Sequence, residues 1–421
     1  MNERISPTSV ALTVKRGFER MKSYRYATAM FIREFVGDYY GKQKGLTGSE
    51  PVNLLFHTIR TLVPNLVMQN PTTKIVTPYV QHKDYAELLG LGLDELSRQT
   101  DFKETLRAWI TSAFFGWGIL KTGIAAKGQM IKFGDINVDP GQIYTELIDL
   151  DDFVIDPICR SIRNSLFYGH RTMVPRQLLL DTDVYDHDLV AELPSSKSAT
   201  QEQRASSITM RDMTATGIYN LQDYVDVIEL YIPEANALVT IPDPYQKVAP
   251  SYLGITDFYG FLSFTPPVPG NPFPVAPVSI YYDLHKMANR VFSKTMDQAD
   301  RQKDILLFNP ALSDSAQDIK EAEDGDTVAC MDPKGVNVVS FGGQNVDNSK
   351  MLQQLQVWFN YMSGNPDQIA GNMTPGTKGG KETATRSQIL QSNANISIED
   401  ARGILYDATA KVKKKEAWYL H

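Results

Sequence analysis

Six prolines fall between Pro266 and Pro277, in the stretch TPPVPGNPFPVAP. Proline has no amide hydrogen and a fixed φ, so a segment this dense in it can neither continue a helix nor pair inside a sheet. The run therefore reads as an extended connector. It divides the chain into a longer N-terminal part and a shorter C-terminal part. At 421 residues the whole exceeds one ordinary domain, so roughly two to four packed units are expected.

N-terminal to the connector, the first forty residues interleave charge with Phe18, Tyr24, Tyr26, Phe31 and Phe35, a spacing that predicts amphipathic helices. After the polar break from Gly41 to Gly48, Pro51 opens a helix with Leu54, Leu55, Ile59 and Leu62 on one side, which Pro64 kinks or ends. The run NPTTKIVTPYV reads as a turn and a short strand, and Asp84 to Arg98 as a polar-faced helix. Asp101 and Glu104 have capping-box spacing ahead of the apolar run Leu106 to Phe115. Gly116 and Gly118 mark a change to strand at ILKTGIAA. Strands are then predicted at GQIYTELIDL, DFVIDP, LFYGHRTMV and YVDVIELYI, with a polar surface loop at 194–207.

C-terminal to the connector the order is simple. A helix over 279–303 carries Ile280, Leu284, Met287 and Val291 on one stripe. Strand-like runs follow at 305–308, 326–331 and 336–341, among polar turns such as Ser313-Asp314. A helix over 349–362 carries Met351, Leu352, Leu355, Trp358, Phe359 and Met362. A loop from Gly364 to Gly380 leads to a long helical pattern with Ala401, Ile404, Leu405, Ala408 and Val412 on one face. No internal repeat is evident.

Several function classes are disfavoured. The net charge of −7 argues against a sequence-specific DNA reader, because phosphate neutralisation supplies most of such a protein's affinity. A surface along which DNA must slide is compatible with it. Cys159 and Cys330 form neither a disulfide framework nor a metal-ligand spacing, and a reducing cytosol is expected. The six histidines include no HxxxH or HExxH pair, so no zinc site is expected. The acidic run DTDVYDHDLV lacks the glycine of a calcium loop and reads as a surface turn. PGTKGGKETAT mimics the end of a phosphate loop, but Pro375 and Glu382 occupy places that need glycine and Ser or Thr. No nucleophile elbow appears. No cofactor, no catalytic residue and no membrane span are expected. The opening MNERISPTSVALTVKRGFER lacks a secretory pattern.

Other residues invite a binding role. Lys286, Arg290 and Lys294 share one helix face, either toward DNA or in ion pairs with Asp283, Asp297 or Asp300 of a neighbouring copy. A solvated face with intrahelical pairs is the plainer alternative. Lys378 and Lys381, in a glycine-rich loop, suit transient phosphate contact. Trp358 and Phe359 read as core or subunit-interface anchors rather than base-stacking residues, and the subunit interface is the expected place for both.

The C-terminal order of helix, small β-unit, helix, loop and long helix resembles the portal proteins of tailed bacteriophages. So do the phrases NLLFHTIRTLVPNLVMQNPTTKIVTP, IDLDDFVIDPICRSIRNSLFYGHRTMV, and MSGNPDQIAGN with KETATRSQILQSNANISIEDAR, spread over residues 50–421. The resemblance implies an α+β portal fold. Its α/β wing would span 1–278, including the connector 266–277. Two antiparallel stem helices would lie at 279–303 and 349–362, with a small α/β clip at 304–348 between them. A tunnel loop would occupy 363–382 and a long wing helix 383–421. Many family members continue into a helical crown, so either a crown is lacking or the sequence is truncated.

The resemblance further implies a non-enzymatic, dodecameric ring at one capsid vertex of the virion, assembled in the host cytoplasm. Duplex DNA would pass through it non-specifically. The major capsid protein, the large terminase subunit and a head-tail adaptor or tail protein would be its partners. The competing readings are a soluble enzyme with a site assembled from scattered residues and a different head-tail adaptor ring. Length and element order favour the portal.

Overall fold

The computed structural model describes residues 7–37, 52–125, 131–133, 136–138, 141–181, 185–195, 223–242, 249–251, 258–323, 327–329, 336–341, 346–364 and 384–421. The chain is α+β, and both of its larger sheets are antiparallel.

The first helix, α1 (Pro7–Val36), is continuous where the sequence suggested several. It buries Val14 and Phe18 in one apolar cluster, Met21 in a second and Phe31 in a third. Its contact with the sheet region is close, since a Cβ on Gly17 would lie 2.6 Å from the Ile155 carbonyl oxygen. Arg25 reinforces it by donating to the carbonyls of Leu150 and Phe153.

Helix α2 (Leu54–Leu66) is capped by Asn53, whose side chain accepts from the Phe56 amide at 2.9 Å. Pro64 lies inside its last turn, and the helix runs two residues further. The short strand expected next does not form: 71–77 is straight but pairs with no strand. Helix α3 (Lys83–Gln99) and helix α4 (Phe102–Phe115) follow. The expected capping box is also absent. Asp101 has φ 47°, and its carbonyl, not its side chain, accepts from the Glu104 amide at 2.8 Å. The left-handed backbone turns its carboxylate away from the first-turn amides.

Beyond α4 the chain forms β1 (Gly118–Ala125), the hairpin β2 (Ile131–Phe133) and β3 (Ile136–Val138), then β4 (Gln142–Ile148), β5 (Phe153–Ile155) and β6 (Tyr168–Pro175). Two short helices, α5 (Arg176–Leu180) and α6 (His187–Glu192), precede β7 (Tyr224–Ile232), β8 (Ala237–Pro242), β9 (Ala249–Ser251) and β10 (Tyr259–Leu262). Strand β1 lies between β10 and β4, while β5 to β9 form a meander in chain order. Gly118 is required by packing, because a Cβ there would come within 2.8 Å of Trp109. Of the predicted surface loop, only 194 and 195 lie among the described residues.

After the connector come α7 (Pro277–Asp300), β11 (Lys303–Phe308), α8 (Ser313–Glu321), β12 (Val336–Phe341), α9 (Val346–Met362) and α10 (Ala384–Leu420). Pro277 opens α7 at its first position, where a missing amide costs nothing. Helix α8 stands where polar turns were read. Residues 327–329 of the expected middle strand are not in a strand, and its remaining residues lie outside those described. Helix α10 buries Leu405, Ala408 and Val412, the last against Gly260, where a Cβ would approach to 2.7 Å.

Candidate channel and assembly surface

Helices α7 and α9 form an antiparallel hairpin with a small β-unit at its tip. Near the tip, Asn348 Nδ2 donates to Gln298 Oε1 at 2.8 Å. Near the base, the Tyr281 and Phe359 rings meet edge-on at 5.2 Å. Between the helices, β11 pairs antiparallel with β12 in the register Lys303↔Phe341 to Phe308↔Val336, and α8 packs on β11. A two-stranded ribbon has little stability alone. This one leaves Ile305, Leu307, Phe308 and Val339 exposed. The hairpin also exposes Ile280, Met287 and Met296 on α7, and Met351, Val357, Trp358, Tyr361 and Met362 on α9. Apolar surface of this extent on one supersecondary unit marks an interaction face.

The basic stripe divides. Arg290 and Lys294 are exposed, as are Asp283, Asp297 and Asp300. Lys286 is not a free cation facing outward. Its Nζ lies 3.5 Å from Glu34 Oε1 on α1 and 5.4 Å from the centre of the Tyr282 ring. The reason is local: α1 crosses α7 there, and the half-buried ammonium neutralises a buried carboxylate.

The aromatic pair divides too. Trp358 is 47% exposed and remains an interface candidate. Phe359 is 2% exposed within its own chain, in the cluster with Trp109, Tyr281 and Leu405, so it is a core anchor and not an interface residue. Adjacent helical positions differ by about 100° around the axis, and the buried face of α9 takes in Leu355 and Phe359 while Trp358 falls outside it. Lys378 and Lys381 lie outside the described residues, as does the expected tunnel loop apart from Ser363 and Gly364. Gly364, with φ 86°, follows the end of α9.

No protein-family model matches this chain, and no curated protein is similar to it in sequence.

A buried polar bridge that periodicity did not reveal joins the two larger sheets. Lys121 on β1 places Nζ 2.7 Å from Glu229 Oε2 on β7 and 3.5 Å from His170 Nε2 on β6. His170 Nδ1 lies 2.6 Å from the Tyr259 hydroxyl on β10. A proton on Nδ1 serves both contacts of the ring, because Nε2 is then free to accept from the ammonium. Burial, and then the neighbouring Lys121 charge, push the His170 pKa down to about 3, although Glu229 pulls the other way. The Lys121 pKa is raised: burial opposes the charge, but Glu229 outweighs it. The signal in the sequence was a charged residue inside an apolar strand run, as in VIEL and ILKT.

The C-terminal helix is locked to the same region. Lys413 Nζ donates to Ser97 Oγ at 2.7 Å and Glu416 Oε2 at 2.6 Å, while Glu416 Oε1 accepts from Thr145 at 2.8 Å. Lys415 donates to the Tyr259 carbonyl. These charged groups hold elements together.

Among the described residues no group of three or more His, Cys, Asp or Glu side chains is placed to hold a metal ion. Asp186 of the acidic run caps α6 by accepting from the Asp188 and Leu189 amides. Among the described residues, no helix is long and apolar enough to cross a membrane. Cys159 is buried and forms no disulfide among the described residues, and Cys330 lies outside them.

Proposed function

We propose that this chain is the subunit of a portal ring, a non-enzymatic channel for DNA packaging and ejection at one vertex of a tailed-phage capsid. The observation that carries the reading is the antiparallel α7–α9 hairpin with β11, α8 and β12 at its tip, followed by the long helix α10 packed back on the N-terminal part. A hairpin whose outer faces are apolar is suited to lateral packing between copies. A tip with its own small sheet is suited to docking a packaging motor first and a tail adaptor later.

In this reading α7 and α9 are the stem, 304–348 the clip, its last residues entering α9, and the N-terminal part with α10 the wing. The partners are further copies of the chain in a dodecamer, the major capsid protein, the large terminase subunit and a head-tail adaptor. Arg290, Lys294, Lys378 and Lys381 are the candidates for passing contact with DNA. A mildly acidic chain holds DNA weakly, which suits a conduit, because tight phosphate binding would act as a brake.

Imaging and native mass measurement of the purified protein test the proposal. The expected result is a closed ring with an axial hole wide enough for duplex DNA. A monomer that persists at every salt and protein concentration would overturn it.

A further inference from the structure

Residues 71–77 run without turn or bend between α2 and α3. One edge of this segment is fixed. The Thr73 amide donates to Asp94 Oδ1 at 2.7 Å, and α3 approaches so closely that a Cβ on Gly90 would lie 3.1 Å from the Thr73 carbonyl oxygen. Successive amides of a straight chain point to opposite sides. The backbone groups of Thr72, Lys74 and Val76 therefore face away from α3, and they have no hydrogen-bond partner among the described residues. Val76 and Val80 are 79% and 76% exposed, with Met68, Tyr79 and Leu88 exposed nearby. Such an edge, held rigid on one side and open on the other, is a template for strand addition. Pro71 and Pro78 limit it to 72–77.

Charge selects what fits. Lys74 is the sole charged side chain from Val67 to His82, so pairing two of these segments would bring lysines together. The complement is a strand with a carboxylate. Strand β4 is an outer strand of its sheet, with an exposed Leu147 and a Glu146 whose side chain is 51% exposed and lies 3.9 Å from Lys121, an ammonium already paired more closely with Glu229 at 2.7 Å. Of the other outer strands of the two larger sheets, β5 and β10 are almost wholly buried on their faces, and β9 (Ala249–Ser251) carries a proline and no charged residue.

We propose that β4 of one copy adds antiparallel to residues 72–77 of a second copy, with Glu146 beside Lys74. The two surfaces differ, so the contact is head-to-tail and can repeat around a ring. It rests on the ring reading for closure and names a lateral contact within it.

Native mass measurement of the full chain tests it, with circular dichroism to check folding. Lys74→Glu should shift the population from the ring to smaller species and Lys74→Arg should keep the ring, while Glu146→Gln, which leaves Lys121 its pair with Glu229, should weaken assembly as Lys74→Glu does. Val76→Pro, which removes an outward amide, should abolish assembly. Hydrogen exchange on the unaltered protein gives a reading independent of any substitution: the Lys74 and Val76 amides should exchange at least tenfold more slowly in the assembly than in dissociated copies. A wild-type ring with unprotected amides, or any of Lys74→Glu, Glu146→Gln and Val76→Pro assembling as well as wild type, overturns this contact and leaves the ring standing. A wild-type chain that never assembles overturns both.

Discussion

Lys121 and Glu229 sit 2.7 Å apart in different sheets, and their ion pair is the link between β1 and β7. The pair is shielded from water, so removing one partner leaves the other charge uncompensated. Lys121→Met should destabilise the fold by about 3–5 kcal/mol, whereas Lys121→Met with Glu229→Leu should recover much of that loss. Urea unfolding of the single and double variants measures the difference.

Stability should fall on mild acidification. His170 is held neutral down to about pH 3, and His285, also buried, down to about pH 4. An unfolded chain protonates both near pH 6.5. Below that point the unfolded state takes up protons the folded state refuses. The histidine contribution is fully present above pH 6.5 and is lost at up to about 1.4 kcal/mol per pH unit for each group. His170→Gln should flatten the dependence of the thermal midpoint between pH 6.5 and 5. A slope unchanged from wild type would refute the role given to His170.

Phe359 and Trp358 should separate core from interface. Phe359→Ala removes a buried ring from the cluster around Tyr281 and should cost about 3–5 kcal/mol. Trp358→Ala should leave the unfolding midpoint of the single chain nearly unchanged while weakening assembly. Unfolding curves and sedimentation on the same two proteins decide the matter.

The cations should separate in the same way. Arg290→Glu with Lys294→Glu changes exposed charge only and should alter DNA retention while leaving ring assembly intact, as should Lys378→Ala with Lys381→Ala. Lys286→Ala instead strips the partner from Glu34, which is 9% exposed, and should lower stability by about 1–3 kcal/mol. Thermal melts and a DNA-release assay on assembled particles distinguish the two effects.

The order of helix, small unit and helix after the connector was legible because its signals are local. Pro277 presets the first turn of α7, and the apolar spacing of Leu355 and Phe359 marks the buried face of α9. Lys121 meets Glu229 across 108 positions in sequence, and no periodicity encodes such a pairing. Asp101 failed as a cap for a related reason. Residue type and spacing allow a box, but the left-handed turn between α3 and α4 is set by how those helices pack. Lys286 looked equivalent to Arg290 and Lys294 until α1 brought Glu34 against it.

Helix α1 is in effect a strut. Its 30 residues span about 45 Å and are seated successively against the five-stranded sheet, the three-stranded sheet and the base of the α7–α9 hairpin. A push delivered to α7 at Lys286 meets Glu34 near one end of that strut, and the far end at Val14 bears on β7 and β8. The proline-rich connector is seated on the same strut, since Tyr24 donates to the Pro274 carbonyl at 2.9 Å and stacks on Phe273, so the hairpin and the segment that leads into it are both braced by α1.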